Sequence, residues 1–293
     1  MEKKRVLLAL AGYTIWGVQP LYWGLMAHLN PMLTLALRII WASVFTTSIL
    51  AFTKRLPELI ELFQNRKKIR LLAPAMLFLL GDWGVFIYAV QTGHVLDTSV
   101  GYYMAPFVVF ALGMFVFKEK PTALMLAAML LAFSGVAISV IQYGRFPLIS
   151  VVLSFLFAIY GAIKKTVQVE SILSISAETI MMLPLSVAFL LISPMGAVFA
   201  ASPAQDQLMF LGAGVVTALP MMLYSHGVLK LPYVMLGFMQ YISPTLALFC
   251  GLFMGETLTP DKLVTFVFIW AALAVYIVSL LLEEKKKRRL TRQ

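Results

Sequence analysis

Charge is scarce in this chain. Of its 293 residues only 12% are Asp, Glu, Lys or Arg, while 61% are hydrophobic, a balance that no water-soluble domain of this size can bury in one core. The single cysteine, Cys250, lies inside an apolar run, which excludes an internal disulfide and a cysteine-based metal cluster. Only three histidines are present, and His94 and His226 sit near the ends of apolar runs, where a hydrogen-bonded structural role is expected rather than metal ligation. No H-E-x-x-H, G-x-S-x-G or P-loop Gly-Lys-Ser/Thr pattern occurs; no motif supports catalysis, nucleotide-driven work, a cofactor or a metal site. The short segments of alternating polarity that make a transmembrane barrel are missing as well.

What the chain has instead is apolar sequence of bilayer-crossing length. About 20 such residues cross a membrane as a helix, so the hydrophobic content predicts an all-α integral membrane protein. Breaks at charge clusters and at Pro, Gly and Asn place ten helices at about 6–28, 32–53, 71–93, 98–117, 122–141, 147–166, 173–193, 207–229, 233–254 and 261–282. The first begins after Lys3, Lys4 and Arg5 but is too long for a signal peptide and is followed by no A-x-A site, so it is expected to be retained.

The net charge of +10 is a topology signal rather than a nucleic-acid signal. Of 23 Lys and Arg, all but three fall on one set of alternate connections; the other side holds only Arg145 and Lys262, and Arg38 lies within the second span. The positive-inside rule puts both termini in the cytoplasm of a cell whose inner membrane the chain spans. The connection from Lys54 to Arg70 carries Leu56, Leu59, Ile60 and Phe63 at helical spacing and is expected on the membrane surface. The tail EEKKKRR is read as an anchor to anionic headgroups of the bilayer, with no nucleic acid as partner.

The two halves resemble each other. Pro106 to Gly113 (PFVVFALG) parallels Pro244 to Gly251 (PTLALFCG), with Glu119 and Glu256 about a dozen residues beyond each proline; Tyr13-x-x-Trp16-Gly17 is echoed by Phe157-x-x-Tyr160-Gly161. Two five-helix units, 1–142 and 143–293, fit this pattern. Because five is odd, the second unit enters the membrane from the opposite side, an inverted repeat of the kind that builds transporters. Pro20, Pro74, Pro106, Pro184, Pro220 and Pro244 fall inside spans, where they can free carbonyls or simply kink the packing.

Charged side chains inside a span cost roughly 2.5 to 3.5 kcal/mol on insertion scales, so they normally face a partner or a wet cavity. Arg38 lies in the outer part of span 2, Glu178 in the inner part of span 7, at corresponding places in the two halves, and Asp82 near the middle of span 3. The first two read as gating or vestibule residues, or as a snorkelling Arg and an interfacial Glu. Asp82 either pairs with Arg38 or Lys164 or exchanges a proton during transport. Trp16, Trp83, Tyr102, Tyr160 and Tyr241 each sit beside a Gly or polar residue within a span, and with Asp82 and Gln240 they form the expected wall of a pocket for an amphipathic or aromatic solute. Small residues in spans 5 and 10, among them Ala132, Gly135 and Ala272, suit close helix contact.

These residues also carry a family resemblance over almost the whole chain: Tyr13-x-Ile15-Trp16-Gly17-x-x-Pro20, Arg38-x-x-Trp41, Trp83-x-x-Phe86-Ile87-x-Ala89-Val90, Ser99-x-Gly101-Tyr102-x-x-x-Pro106, Tyr160-Gly161-x-x-Lys164-Lys165, Glu178-Thr179, Val216-Thr217-x-x-Pro220 and Leu236-Gly237-Phe238-x-Gln240-Tyr241-Ile242-x-Pro244-Thr245. The chain resembles the EamA family of the drug/metabolite transporter superfamily, and within it the RarD branch. The resemblance implies ten helices in two inverted EamA repeats, a central cavity lined by helices 1, 3, 4, 6, 8 and 9, peripheral helices 5 and 10, and a transport mechanism. The chain is expected to be a secondary transporter of a small organic metabolite or drug-like solute, with export the expected direction and a proton, carried by the buried Asp82, as the candidate coupling ion. Where that branch is expected to carry Asn before Trp83, this chain has Asp82. A monomer or a homodimer suits such a bundle. A membrane-embedded enzyme and a non-transporting receptor or scaffold are the readings of other classes; neither has a supporting motif.

Overall fold

The computed structural model describes residues 2–26, 28–91, 95–143, 148–253 and 260–290, and every regular element among them is helical. In chain order these are α1 (Glu2–Leu25), α2 (Pro31–Phe52), α3 (Leu56–Gln64), α4 (Arg66–Gln91), α5 (Val95–Phe115), α6 (Ala123–Tyr143), α7 (Leu148–Val167), α8 (Ser171–Ile192), α9 (Met195–Ala200), α10 (Ala204–Val228), α11 (Tyr233–Gln240), α12 (Ile242–Phe253) and α13 (Pro260–Leu290). Seven described segments are long and apolar enough to cross a membrane: 31–52, 66–86, 148–167, 171–192, 204–228, 233–250 and 263–283; 101–115 and 123–138 are shorter apolar helices. Helix α1 is less apolar, carrying Tyr13, Gln19, Pro20, Tyr22 and Trp23 along its length.

Local sequence sets the helix ends. Asn30 caps α2, its Oδ1 accepting from the amides of Met32 (2.9 Å) and Leu33 (3.2 Å), with Pro31 as the first helical residue. Asn65 does the same for α4 through the Lys68 amide at 3.1 Å. The surface helix expected between Lys54 and Arg70 is α3, but its inward face is Leu59 and Leu62, packed with Leu50, Leu72, Val167 and Ile172; Ile60 points outward. The expected ninth span is divided at Tyr241. Pro244 has no amide to offer the Gln240 carbonyl, and the chain tightens there, Tyr241 N donating to Phe238 O at 3.2 Å and Thr245 Oγ1 to Tyr241 O at 2.8 Å. The helices holding the other in-span prolines run on unbroken. Two further corrections to the sequence reading are the short helix α9, and the extension of α13 through the basic tail to Leu290. His94, Arg145 and Glu256 lie outside the described residues.

Helices pack in pairs: α1 against α10 and α12, α7 against α4 and α5, α2 against α8 and α10, α5 against α11, and α6 against α13. Glycine makes several of these approaches possible. A Cβ at Gly17 of α1 would stand 2.7 Å from Leu246 Cβ and 2.9 Å from Ser243 O of α12, and one at Gly135 of α6 would stand 2.5 Å from Phe268 Cβ of α13.

Candidate functional site

At the middle of the bundle, aromatic rings from both halves meet. Trp16 of α1 lies 5.7 Å from Tyr13, 5.7 Å from Phe157 of α7 and 5.3 Å from Tyr224 of α10, centroid to centroid. The Tyr13 hydroxyl is tied to backbone of the other half, donating to Leu236 O at 3.2 Å, and that of Tyr233 to backbone within its own half, donating to Ala158 O at 2.5 Å. Gly161 leaves room for the hydroxyls of Tyr224 and Tyr233, which any Cβ there would strike. Of the expected pocket residues, Trp16, Trp83 and Tyr160 belong to the core cluster of this centre; Tyr13, Tyr224 and Tyr233, not expected from the sequence as lining residues, complete it.

Beside it lies a closed polar network. Lys164 Nζ donates to Glu178 Oε1 at 2.7 Å and also to Ser174 Oγ; Ser174 Oγ donates to the same Oε1 at 2.9 Å, and Tyr160 OH to Glu178 Oε2 at 3.2 Å. Lys164 and Glu178 are 2% and 0% exposed. Charges removed from water this completely persist only when paired and hydrogen-bonded, and each is. Lys164 is therefore the partner of Glu178 rather than of Asp82, and Glu178 is enclosed in this conformation rather than facing an open vestibule.

Arg38 and Asp82 are arranged differently. The Arg38 guanidinium carbon sits 4.1 Å from the ring centre of Trp83 and 5.3 Å from that of Trp23, a cation held over aromatic faces. Its Nε is buried without a hydrogen-bond partner, as is Oδ1 of Asp82, a residue only 4% exposed. Arg38, Asp82 and Tyr102 lie within electrostatic reach of one another, yet among the described residues Arg38 and Asp82 form no ion pair. Tyr102 is 37% exposed and its ring lies 6.1 Å from Phe86. Asp82, Trp83 and Tyr102 are thus gathered around Arg38, and Trp83 and Phe86 join this group to the core cluster of the aromatic centre. Gln240 is buried with Oε1 unpartnered. Tyr241 is buried on another side, with Ala132, Ile269 and Ala272 and 6.2 Å from Phe107, so the structure does not bring it to either cluster. Among the described residues no group of His, Cys, Asp and Glu could hold a metal ion.

At the end of the bundle where α2, α5, α7 and α10 finish, polar contacts join the halves. Glu119 accepts from the first two amides of α11, Tyr233 N at 2.6 Å and Val234 N at 2.8 Å, while Lys165 Nζ approaches its Oε1 at 3.7 Å and donates to Leu231 O. Arg55 Nε and Nη2 each reach Glu58 at 2.7 Å, and Nη1 reaches Glu170 at 3.0 Å. The two carboxylates hold the Arg55 guanidinium above its ordinary range, and Arg55 holds the exposed Glu58 carboxyl below its own. At the opposite end His28 Nε2 meets Asp206 Oδ1 at 3.1 Å.

The EamA-like transporter family matches residues 3–141. The chain is 37% identical to the uncharacterized transporter YojE of Bacillus subtilis (strain 168), covering 94% of both, and 34% identical to the protein RarD of Escherichia coli (strain K12), covering 97% of both. It belongs to the EamA-like family, on the RarD side. The family and the Bacillus subtilis relative are named as transporters, and with the run of apolar helices they support a multi-pass membrane protein. A solved crystal structure of a protein superimposes with a TM-score of 0.71 over 94% of this chain and 97% of its own at 14% identity, a likeness of fold alone.

Proposed function

We propose that the chain is a secondary transporter that moves a small organic metabolite or drug-like solute outward across the inner membrane by alternating access, its two five-helix units related by inversion and rocking about a central site. The observation that carries this reading is the pattern of packing. Exchanging the halves (α1 with α7, α2 with α8, α4 with α10, α5 with α11 and α12, α6 with α13) turns α1 on α12 into α7 on α5, α1 on α10 into α7 on α4, and α2 on α10 into α8 on α4; the remaining major contacts map onto themselves. Arg38 and Glu178 then correspond, each the eighth residue of its helix. A bundle whose contacts survive this exchange has two related packings available, one opening to each side, as an alternating cycle requires.

On this reading there are ten spans, 1–142 and 143–293 are the two units, both termini are cytoplasmic, and the Glu119, Lys165 and Arg55 contacts close the cytoplasmic side. Trp16, Asp82, Trp83, Tyr102, Tyr160 and Gln240 face the solute path at some stage of the cycle; Tyr241 shapes it from behind, at the break between α11 and α12. Arg38 and Glu178 change surroundings as the halves rock. The test compares solutes in the medium of cells overproducing the wild type with cells overproducing an Arg38→Ala, Asp82→Asn, Glu178→Gln variant at equal membrane levels. A solute enriched outside only with wild type is expected; its absence across a broad panel, and from proteoliposome uptake, would overturn the reading.

Asp82 is proposed to carry the coupling proton. Among the described residues it is buried and held by no salt bridge, whereas Glu178 is committed to Lys164 and Asp206 meets His28. Asp82→Asn is therefore expected to leave transport insensitive to a pH gradient in reconstituted vesicles, and a gradient dependence equal to wild type would exclude the assignment.

A further inference from the structure

The two ends of the bundle are bridged between the halves of the chain by different chemistry. At one end Arg55 meets Glu170 and Lys165 approaches Glu119, guanidinium or ammonium groups against carboxylates, whose charges ordinarily do not change near neutrality. At the other end the bridge is His28 to Asp206, Nε2 to Oδ1 at 3.1 Å, and histidine is the side chain whose charge ordinarily changes between about pH 5 and 8. Asp206 is buried in the first turn of α10, where the free amides of the helix favour a carboxylate. The His28 side chain is 58% exposed and open to protons from the compartment it faces. Among the described residues no other charge contacts either group. Residues 6–37 and 179–205 hold no Asp, Glu, Lys or Arg, so α1, the first turns of α2, the end of α8 and the whole of α9 bring none to this place. Deeper in the bundle come Arg38, the eighth residue of α2, and Asp82 of α4. The other contacts between the halves near this end come from groups that keep their charge near neutrality: Tyr22 OH donates to Met209 O, and Gln19 Nε2 to Val216 O at 2.6 Å.

We propose that His28 and Asp206 form a latch through which the acidity of the outer compartment sets how often the outer end of the bundle stands open. When the imidazole is protonated, its Nε2–H donates to a carboxylate of opposite charge, a contact stronger than the neutral one. When it is neutral, only an uncharged donor or acceptor faces Asp206. Moving the connection between α1 and α2 away from α10 breaks the contact in either case, and the charged contact is the harder one to break. Protons therefore favour the closed outer end, and a rise in pH through the histidine range releases it. The effect is modest, because an exposed imidazolium is screened by water and salt: the ratio of closed to open changes about two- to fivefold, the range for exposed ion pairs. The bridges at the other end contain no histidine, so acidity acts on one face of the protein alone. The proposal rests on the transporter reading above, which supplies the open and closed states, and adds a control on its cycle. His28 senses the proton and does not carry it across; that role is the one proposed for Asp82.

The test uses the full-length protein in lipid nanodiscs, with Cys250→Ala and spin labels on Leu25→Cys of α1 and Leu208→Cys of α10, exposed leucines on either side of the bridge. It reads the distribution of distances between the labels at about pH 5.5 and about pH 8.5, on either side of the histidine range. The ratio of the short-distance to the long-distance population is expected to be about two- to fivefold higher at the lower pH. His28→Gln is expected to hold the ratio at its high-pH value under both conditions, Asp206→Asn to do the same, and His28→Lys, which keeps a cation opposite Asp206, to hold it near the low-pH value. A distribution that does not change with pH would overturn the proposal. So would a response kept in full by His28→Gln and Asp206→Asn, which would assign it to another group such as Asp82. A solute exported by the wild type in the medium comparison, together with a distribution indifferent to pH, would remove the latch and leave the transporter reading standing; a pH response abolished by His28→Gln in a protein that moves no solute would do the reverse.

Discussion

Lys164→Ala is expected to destabilise the protein by about 3 to 5 kcal/mol, the range for stripping one partner from a buried ion pair. The loss comes from what remains: Glu178, with no exposed surface, would keep only the hydroxyls of Ser174 and Tyr160 for its charge. Thermal unfolding in detergent measures it. Removing both charges for apolar groups of similar length, Lys164→Met with Glu178→Leu, is expected to recover most of the loss, because the cost lies in the unpaired charge and not in the absence of the pair. If the double variant were as unstable as the single one, the network would be holding α7 to α8 by its hydrogen bonds rather than by charge compensation.

A methyl group at Gly214 should be nearly as damaging. A Cβ there would meet the backbone carbonyl oxygen of Trp41 and its Cβ, each at 2.6 Å, and since the obstacle includes main chain, α2 and α10 must separate to admit it. Gly214→Ala is expected to cost about 1 to 3 kcal/mol, the usual range for overpacking. Gly84→Ala supplies the opposite sign. A Cβ at Gly84 meets nothing within 4 Å, and alanine in a helix interior outdoes glycine by about 0.5 to 1 kcal/mol, so this variant is expected to match or exceed the wild type in the same assay.

Why some of this architecture was readable from sequence and some was not follows from the helices themselves. Span positions come from hydropathy and from charges at the ends, and the helix ends at Asn30-Pro31 and Asn65 announce themselves through capping chemistry. Rotation about the helix axis does not. A helix apolar on all sides carries no stripe to say which face looks inward, so nothing in the sequence separates Gln240 from Tyr241, or places Tyr13 and Tyr224 beside Trp16. Pairing across a connection is more legible: Lys164 and Glu178 lie near the two ends of helices that meet at residues 168–170, a signal that would have assigned Lys164 to Glu178 instead of offering it to Asp82. Glu119 as the cap of α11 could not be foreseen, since its partners are more than a hundred residues away.

The unlike surroundings of Arg38 and Glu178 separate the two halves. Each is the eighth residue of its helix, but the Glu178 carboxylate is neutralised by Lys164 of the preceding helix, whereas the Arg38 guanidinium rests over the indoles of Trp23 and Trp83. The exchange of halves proposed above therefore carries over the position and not the chemistry: where one half braces itself with an ion pair, the other lays a cation on aromatic rings.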